Sequence, residues 1–222
     1  MQSALSAGIY PMLYAFFEED GTLRTDPFLQ QVDATLATNA AGIAILGLVT
    51  EVSKLTPLER YETVKQVAAR IDGRKPLLVT VYGNTPQEQI SFAEKAIDCG
   101  ASALILQPPA EPLNNDLLKQ FFSTVIESVG CPVGIQNAPE FLGFGLSNKS
   151  LIDLAVNHNN FALAKLECTA VALEPVAARL NNKALAFNGR CGLELTDNLR
   201  AGADGLIPGF ETVDKTLSLI HI

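Results

Sequence analysis

An apolar run of strand character, NFALAKLECT at residues 160–169, contains a single lysine, Lys165. Lysine is among the residues least often buried, because moving an ammonium out of water is costly unless another interaction compensates. Burial favours the neutral amine, which attacks a ketone to form an imine, and the protonated imine acidifies the neighbouring carbon. That chemistry permits aldol cleavage, aldol addition or loss of a β-hydroxyl. Alternatively, Lys165 lies at a rim, where its amine reaches solvent or pairs with Glu51 or Glu167.

The elements that position this lysine are eight short apolar runs, which alternate with segments of helical periodicity. Runs that are apolar along their whole length are typical of parallel strands covered on both faces. Two of the intervening segments begin with capping boxes, Thr56 with Glu59 and Thr85 with Glu88, each with a proline at the first helical position. The predicted strands are 8–14, 42–48, 76–82, 102–107, 132–137, 161–167, 183–189 and 204–209.

Eight strand–helix units predict a (β/α)8 TIM barrel, with a doubly wound sheet as the alternative. No GxGxxG sequence follows the first strand, which counts against a nucleotide-binding doubly wound sheet. In a barrel the chemistry lies at the carboxyl ends of the strands, and Lys165 is on the sixth strand. We expect a single barrel domain over residues 1–216.

The end of the chain is short for this fold. Only about a dozen residues follow Gly209, where a barrel has the helix after its eighth strand. The final residues, LSLIHI at 217–222, resemble one reading frame of the adapter used in transposon-based library preparation. We therefore expect a truncated barrel that lacks its final helix and any C-terminal helical extension, followed by a non-native tail at 217–222.

The composition excludes several classes of partner. A formal net charge of -8 and a pI of about 4.8 disfavour binding to nucleic acids and to anionic membranes. No apolar run approaches the roughly 18 residues that span a bilayer, and the N-terminus lacks the basic start of a signal peptide, so we expect a cytoplasmic protein. Two distant histidines exclude a histidine-rich metal site. No motif supports a carboxylate site for magnesium, the remaining alternative, and we expect no metal. Four cysteines without CxxC spacing predict reduced thiols.

Nearly the whole chain resembles the dihydrodipicolinate synthase/N-acetylneuraminate lyase family of class I Schiff-base aldolases. The family's motifs occur in order as YPMLYAFFEEDG, GLVTEVSKLTPLER, YGNTPQEQI, LILQPP, IQNAPEFLG, AKLE, FNG and GADGLIPG. The resemblance implies that Lys165 forms a Schiff base with pyruvate or another 2-oxo acid, without any cofactor. It also implies that Gly47, Gly189 and Ile207 line the same pocket, and that the full-length protein is a homo-oligomer, commonly a tetramer in this family.

Five features depart from the family pattern. Leu48 and Val49 stand where the synthases and lyases have two hydroxyl residues that hold the substrate carboxylate and relay protons. Gln136 replaces the strand-five tyrosine, and Phe141 stands where the synthases have a carboxylate-binding arginine. The tyrosine after strand four is also missing. Because a proton relay contributes roughly 10²–10⁴ in rate, these losses disfavour the synthase reaction itself.

A glutamine in place of the tyrosine is similar to the branch that contains L-2-keto-3-deoxyarabonate dehydratase. We therefore expect a lyase acting on pyruvate or a 2-keto-3-deoxy sugar acid, as dehydratase or aldolase, in which Lys165 forms the imine and Gln136 orients a carbonyl or hydroxyl. The alternatives are a 4-hydroxy-tetrahydrodipicolinate synthase, which condenses pyruvate with aspartate semialdehyde, and a non-catalytic 2-oxo acid binding protein.

The remaining candidates are residues for substrate binding, for the general base and for support of the loops. Leu48 and Val49 are candidates to contact the substrate. Thr50, the backbone amides of the Gly47–Thr50 loop, Asn188 and Arg190 are the candidate carboxylate ligands, unless Arg190 is a solvated rim charge. Water, Glu167 or Glu51 is the candidate general base, although Glu51 better fits a role in orienting the loop. Asn137 is expected to hold the turn at Pro139.

Overall fold

The structure is a computed structural model and describes residues 5–209. Its eight strands are all parallel and form one sheet in the order β1-β8-β7-β6-β5-β4-β3-β2. Each predicted strand contains one observed strand. The strands are β1 (Gly8–Ile9), β2 (Ile43–Ile45), β3 (Leu77–Val81), β4 (Ala103–Leu106), β5 (Val133–Asn137), β6 (Phe161–Leu166), β7 (Leu185–Asn188) and β8 (Gly205–Leu206).

The two edges of this sheet meet beyond the end of β1. A parallel bridge joins Met12 to Ala44. The Ala44 amide donates to the Pro11 carbonyl at 2.9 Å, and the Leu13 amide donates to the Ala44 carbonyl at 2.9 Å. The sheet therefore closes into a barrel, which confirms the predicted (β/α)8 architecture.

Helices connect successive strands on the outside of the barrel. Both predicted capping boxes are present, since the Thr56 and Thr85 side chains accept from the amides of Glu59 and Glu88, whose carboxylates accept in return. The helices are α1 (Thr25–Leu36), α2 (Pro57–Ile71), α3 (Pro86–Asp98), α4 (Asn115–Ser128), α5 (Pro139–Leu142), α6 (Asn148–Asn157), α7 (Ala170–Leu180) and α8 (Leu195–Arg200). The expected missing final helix, the domain limit at 216 and the tail at 217–222 lie outside the described residues.

Two apolar cores hold the barrel together. The larger core fills the space between strands and helices, and the smaller one fills the barrel interior. Inside, the rings of Tyr10 and Phe187 pack edge to face with centroids 5.5 Å apart. Because apolar side chains fill the interior below them, the polar groups of the upper strands are confined to the mouth. The buried interior residues are Tyr10, Met12, Ala44, Leu78, Ala103, Ile105, Leu163, Phe187 and Ile207.

Candidate active site

Lys165 points into the barrel. It follows Leu163 of the interior core by two residues, whereas Ala164 and Leu166 belong to the outer core, as the alternation of a strand requires. Its side chain is only 4% exposed, and Nζ lies 2.8 Å from Oε1 of Glu167, whose side chain is 5% exposed. The lysine is therefore a buried residue in an ion pair with Glu167, and not a lysine at a solvated rim.

Gly189 makes room for this ion pair. A Cβ atom at position 189 would lie 2.5 Å from Cδ and 2.7 Å from Oε2 of Glu167. Any side chain at this position would displace the carboxylate from the lysine. The glycine, which follows β7, therefore determines where the Glu167 carboxylate can lie.

A cavity of about 220 Å³ opens beside the ion pair. It is smaller than the roughly 300–1,000 Å³ that is typical of pockets for drug-sized ligands, so it suits a small substrate. Its wall is apolar except for the two charged side chains. The lining residues are Met12, Leu48, Val49, Phe141, Lys165, Glu167, Gly189, Cys191, Ile207 and Gly209.

The loop after β2 contributes an apolar side to the cavity. Leu48 and Val49 line it, but Thr50 is fully buried and its hydroxyl donates to the Leu13 carbonyl at 2.6 Å. A Cβ atom at Gly47 would lie 2.6 Å from the terminal methyl of Met12, so this glycine allows the loop to approach the segment after β1. Glu51 is exposed and ends the turn in a left-handed conformation, with φ of 52°.

Gln136 is paired with Lys165 in the β5–β6 ladder and is fully buried. Within the described residues its amide oxygen and nitrogen make no hydrogen bond, and the same holds for Oγ1 of Thr80 and Oε1 of Gln107. Buried polar atoms normally have a hydrogen-bond partner. It is therefore unusual that three polar side chains on one side of the barrel mouth have buried atoms without such a partner. On the sequence, Gln136 was assigned a role and Gln107 was only one of the polar residues at the strand ends, whereas Thr80, a polar residue within an apolar run, was missed.

Asn137 has the structural role expected from the sequence. Its side chain accepts from the Leu146 amide at 2.9 Å and donates to the Leu146 carbonyl at 3.0 Å. These bonds hold the segment that returns from the short helix α5. Asn137 is not among the residues that line the cavity.

Arg190 is not among the cavity-lining residues either. Its Nε lies 3.3 Å from Oε2 of Glu140, and its Nη1 lies 3.0 Å from Oε1 of Glu194. The adjacent Cys191 lines the cavity instead, as does Phe141. Glu194 follows Arg190 by four residues, whereas Glu140 is 50 positions earlier in α5, so sequence spacing carried no signal for the Glu140 contact.

The charges around the mouth also act on a buried thiol. Burial raises the pKa of Cys168 to about 11, with Glu140 acting in the same direction and Arg190 opposing it. Burial likewise raises the pKa of Cys131 to about 11. All four cysteines are free, and the described residues contain no group of three or more side chains suited to a metal ion. No helix among residues 5–209 is both long and apolar enough to cross a membrane.

Comparison with known proteins identifies relatives of this barrel. The chain is 29% identical over 202 residues to the 4-hydroxy-tetrahydrodipicolinate synthase of Xylella fastidiosa, covering 90% of this chain and 67% of that protein. It is 25% identical over 220 residues to the "Probable 2-dehydro-3-deoxy-D-pentonate aldolase YjhH" of Escherichia coli K12, covering 96% of this chain and 72% of that protein.

Solved structures share the fold. The crystal structure of E. coli K12 YagE in complex with pyruvate superposes with a TM-score of 0.91 at 24% identity, covering 98% of this chain and 74% of that chain. The family model for the "Dihydrodipicolinate synthetase family" matches residues 5–214. The chain therefore belongs to the dihydrodipicolinate synthetase family of aldolase-type lyases.

Proposed function

We propose that this protein is an imine-forming lyase that acts on a 2-keto-3-deoxy sugar acid, as a dehydratase or an aldolase, with Lys165 as the nucleophile. The observation that carries the proposal is the buried Lys165–Glu167 pair, 2.8 Å apart, at the wall of a small cavity. A buried amine with an adjacent carboxylate fits a nucleophile activated by its own base. The similarity to the "Probable 2-dehydro-3-deoxy-D-pentonate aldolase YjhH" supports this substrate class.

In the proposed reaction Glu167 accepts a proton from the Lys165 ammonium, and the free amine attacks the C2 carbonyl. Glu167 returns the proton to the carbinolamine hydroxyl, water leaves, and a cationic iminium remains beside the carboxylate. In a dehydration, Glu167 then takes a C3 proton and donates it to the departing C4 hydroxyl. In an aldol cleavage, Glu167 takes the C4 hydroxyl proton instead, the C3–C4 bond breaks, and the enamine is protonated at C3. In either case the carboxylate acts as base and then as acid, and water finally adds to C2 of the product iminium, which releases the 2-oxo product and restores the Lys165 amine.

We assign the substrate carboxylate to backbone amides of the loop at Leu48 and Val49. Thr50 and Arg190 are already engaged, by the Leu13 carbonyl and by two glutamates. Gln136, level with Lys165 on the next strand, is assigned to orient a substrate oxygen. The apolar side chains of Leu48 and Val49 disfavour the synthase alternative, because they have no hydroxyl to relay protons.

Borohydride trapping tests the proposal. The protein is incubated with pyruvate or with a five- or six-carbon 2-keto-3-deoxy acid, reduced, and analysed by peptide mass spectrometry. We expect an adduct at Lys165 that is lost in Lys165→Met and retained in Lys149→Met, a control on an 82% exposed lysine. Turnover of the sugar acid is followed by product mass, which shows loss of water for a dehydratase and release of pyruvate for an aldolase.

The alternatives give different results. Product formation only from pyruvate with aspartate semialdehyde would establish the synthase. An adduct without turnover of any substrate would establish a binding protein. No adduct with any 2-oxo acid would overturn the proposal. The predicted tetramer and the cytoplasmic location remain predictions, and light scattering of the purified protein measures the former.

A further inference from the structure

The loops above Lys165 are tied together by one arginine. Arg190, in the segment after β7, is 18% exposed and lies between two carboxylates from different parts of the barrel mouth. Glu140 belongs to α5, directly after β5, and its Oε2 lies 3.3 Å from Nε. Glu194 precedes α8, and its Oε1 lies 3.0 Å from Nη1.

Glu194 extends this connection to a third unit of the barrel. Its second oxygen, Oε2, accepts a hydrogen bond of 2.9 Å from the amide of Ala170, the first residue of α7. A carboxylate at the start of a helix is favourable for the exposed amides there. The ends of β5, β6 and β7 are therefore joined through Glu140, Arg190 and Glu194, which we call the clasp.

The clasp also holds an unfavourable backbone. Cys191 and Glu194 have φ of 51° and 57°, in the left-handed region that non-glycine residues rarely adopt. Such conformations persist where surrounding interactions over-determine them. Here the Arg190 amide donates to Oδ1 of Asn188 at 2.9 Å, and Nη1 donates to Oε1 of Glu194 at 3.0 Å. The contact of Nε with Glu140 is an ion pair without a hydrogen bond.

Two cavity walls are direct neighbours of clasp residues. Phe141, which is 60% exposed, follows Glu140, and Cys191 follows Arg190. The Glu140–Arg190 contact therefore sets the position of both walls at the outer side of the Lys165 cavity. Pyruvate has no atoms beyond C3, whereas a 2-keto-3-deoxy sugar acid has a hydroxylated chain that must extend away from the imine.

We propose that Arg190 is a positioning residue for substrate specificity, which acts through the clasp by holding Phe141 and Cys191 against the part of the substrate beyond C3. This inference rests on the proposed function, because it takes the sugar-acid chain as the group that meets these walls. Arg190 itself does not contact the reacting atoms. The clasp glutamates are 43% and 37% exposed, so added salt weakens their pairing with the arginine.

The experiment compares Arg190→Gln with Arg179→Gln, a control on an exposed arginine of α7. Two rates are measured for each protein: kcat/KM for a six-carbon 2-keto-3-deoxy acid and the rate of pyruvate trapping by borohydride. We expect Arg190→Gln to lower kcat/KM for the sugar acid at least tenfold, mainly through KM, and to leave pyruvate trapping within twofold. Glu140→Gln should also lower kcat/KM for the sugar acid, and the double variant should be no worse than Arg190→Gln alone, because that change already removes the Glu140 contact.

Equal losses with both substrates, or no loss with either, would overturn the inference. Failure of the wild-type protein to trap pyruvate would overturn the proposed function. That result is distinct from failure of the inference alone, in which the wild-type protein still traps pyruvate. A third measurement does not need turnover: alkylation of Cys191 by iodoacetamide, located by peptide mass spectrometry. We expect it to be at least threefold faster in Arg190→Gln than in Arg179→Gln, and an unchanged rate would show that no clasp holds this loop.

Discussion

Replacing Gly189 by alanine tests whether the Lys165–Glu167 pair is responsible for the chemistry. A Cβ atom there would lie 2.5 Å from Cδ of Glu167, closer than real Cβ atoms approach any atom. Gly189 is not among the glycines with positive φ, so its backbone accommodates alanine. The carboxylate must therefore rotate away, and the 2.8 Å contact with Lys165 is lost.

The size of the effect follows from two separate costs. Adding a methyl group to a packed, buried site costs about 1–3 kcal/mol. For a domain of this size each kcal/mol lowers Tm by about 2–4 °C, so Tm should fall by about 2–12 °C. Displacing the Glu167 carboxylate from the lysine removes the assigned acid–base group, which should lower the rate of pyruvate trapping by about 10²–10⁴.

The matched control is Gly130→Ala, because a Cβ atom there meets nothing within 4 Å and the glycine has no positive φ. Trapping rate and Tm, the latter by circular dichroism, are measured for both variants. Gly130→Ala should match the wild type in both. In a Glu167→Ala background the added Gly189→Ala change should cause little further loss, since the obstructed carboxylate is gone. Trapping by Gly189→Ala at the wild-type rate would refute the assigned role of Glu167.

Three further changes test other parts of the molecule. Thr50→Val removes a buried hydrogen bond of 2.6 Å and should lower the free energy of unfolding by about 1–3 kcal/mol, measured as a lower Tm with pyruvate trapping retained. Loss of trapping at an unchanged Tm would instead make this hydroxyl a substrate ligand. Gly205→Ala places a Cβ atom 2.7 Å from a backbone carbon of β1 and should prevent accumulation of soluble, folded protein, as judged by gel filtration. Iodoacetamide at pH 8 should modify the exposed Cys191 well before Cys131 and Cys168, because burial raises the pKa of Cys131 and of Cys168 to about 11. The alkylation rates of Cys131 and Cys168, measured by peptide mass spectrometry, should rise as the pH approaches 11.

Features encoded by neighbouring residues were predictable from the sequence. The capping boxes at Thr56 and Thr85 depend on residues three positions apart, and the inward direction of Lys165 depends on strand alternation. The environment of Arg190 was not predictable in this way. Glu194 follows it by four residues in the same segment, but Glu140 comes from the segment after β5, whose approach is determined by the closed barrel. The side chain that resembled a carboxylate ligand is therefore engaged in ion pairs.

The spacing of the two charged residues explains how the site tolerates its departures from the family pattern. Lys165 and Glu167 are two positions apart in one extended segment, so both side chains face the interior. Their contact needs no side chain from another strand. A relay built from residues on several strands is interrupted by one substitution, whereas a carboxylate from the lysine's own segment remains in place when neighbouring strands change. The amide of Gln136 and the apolar side chains of Leu48 and Val49 are therefore compatible with imine chemistry. What they alter is the set of substrate oxygens that the site can hold.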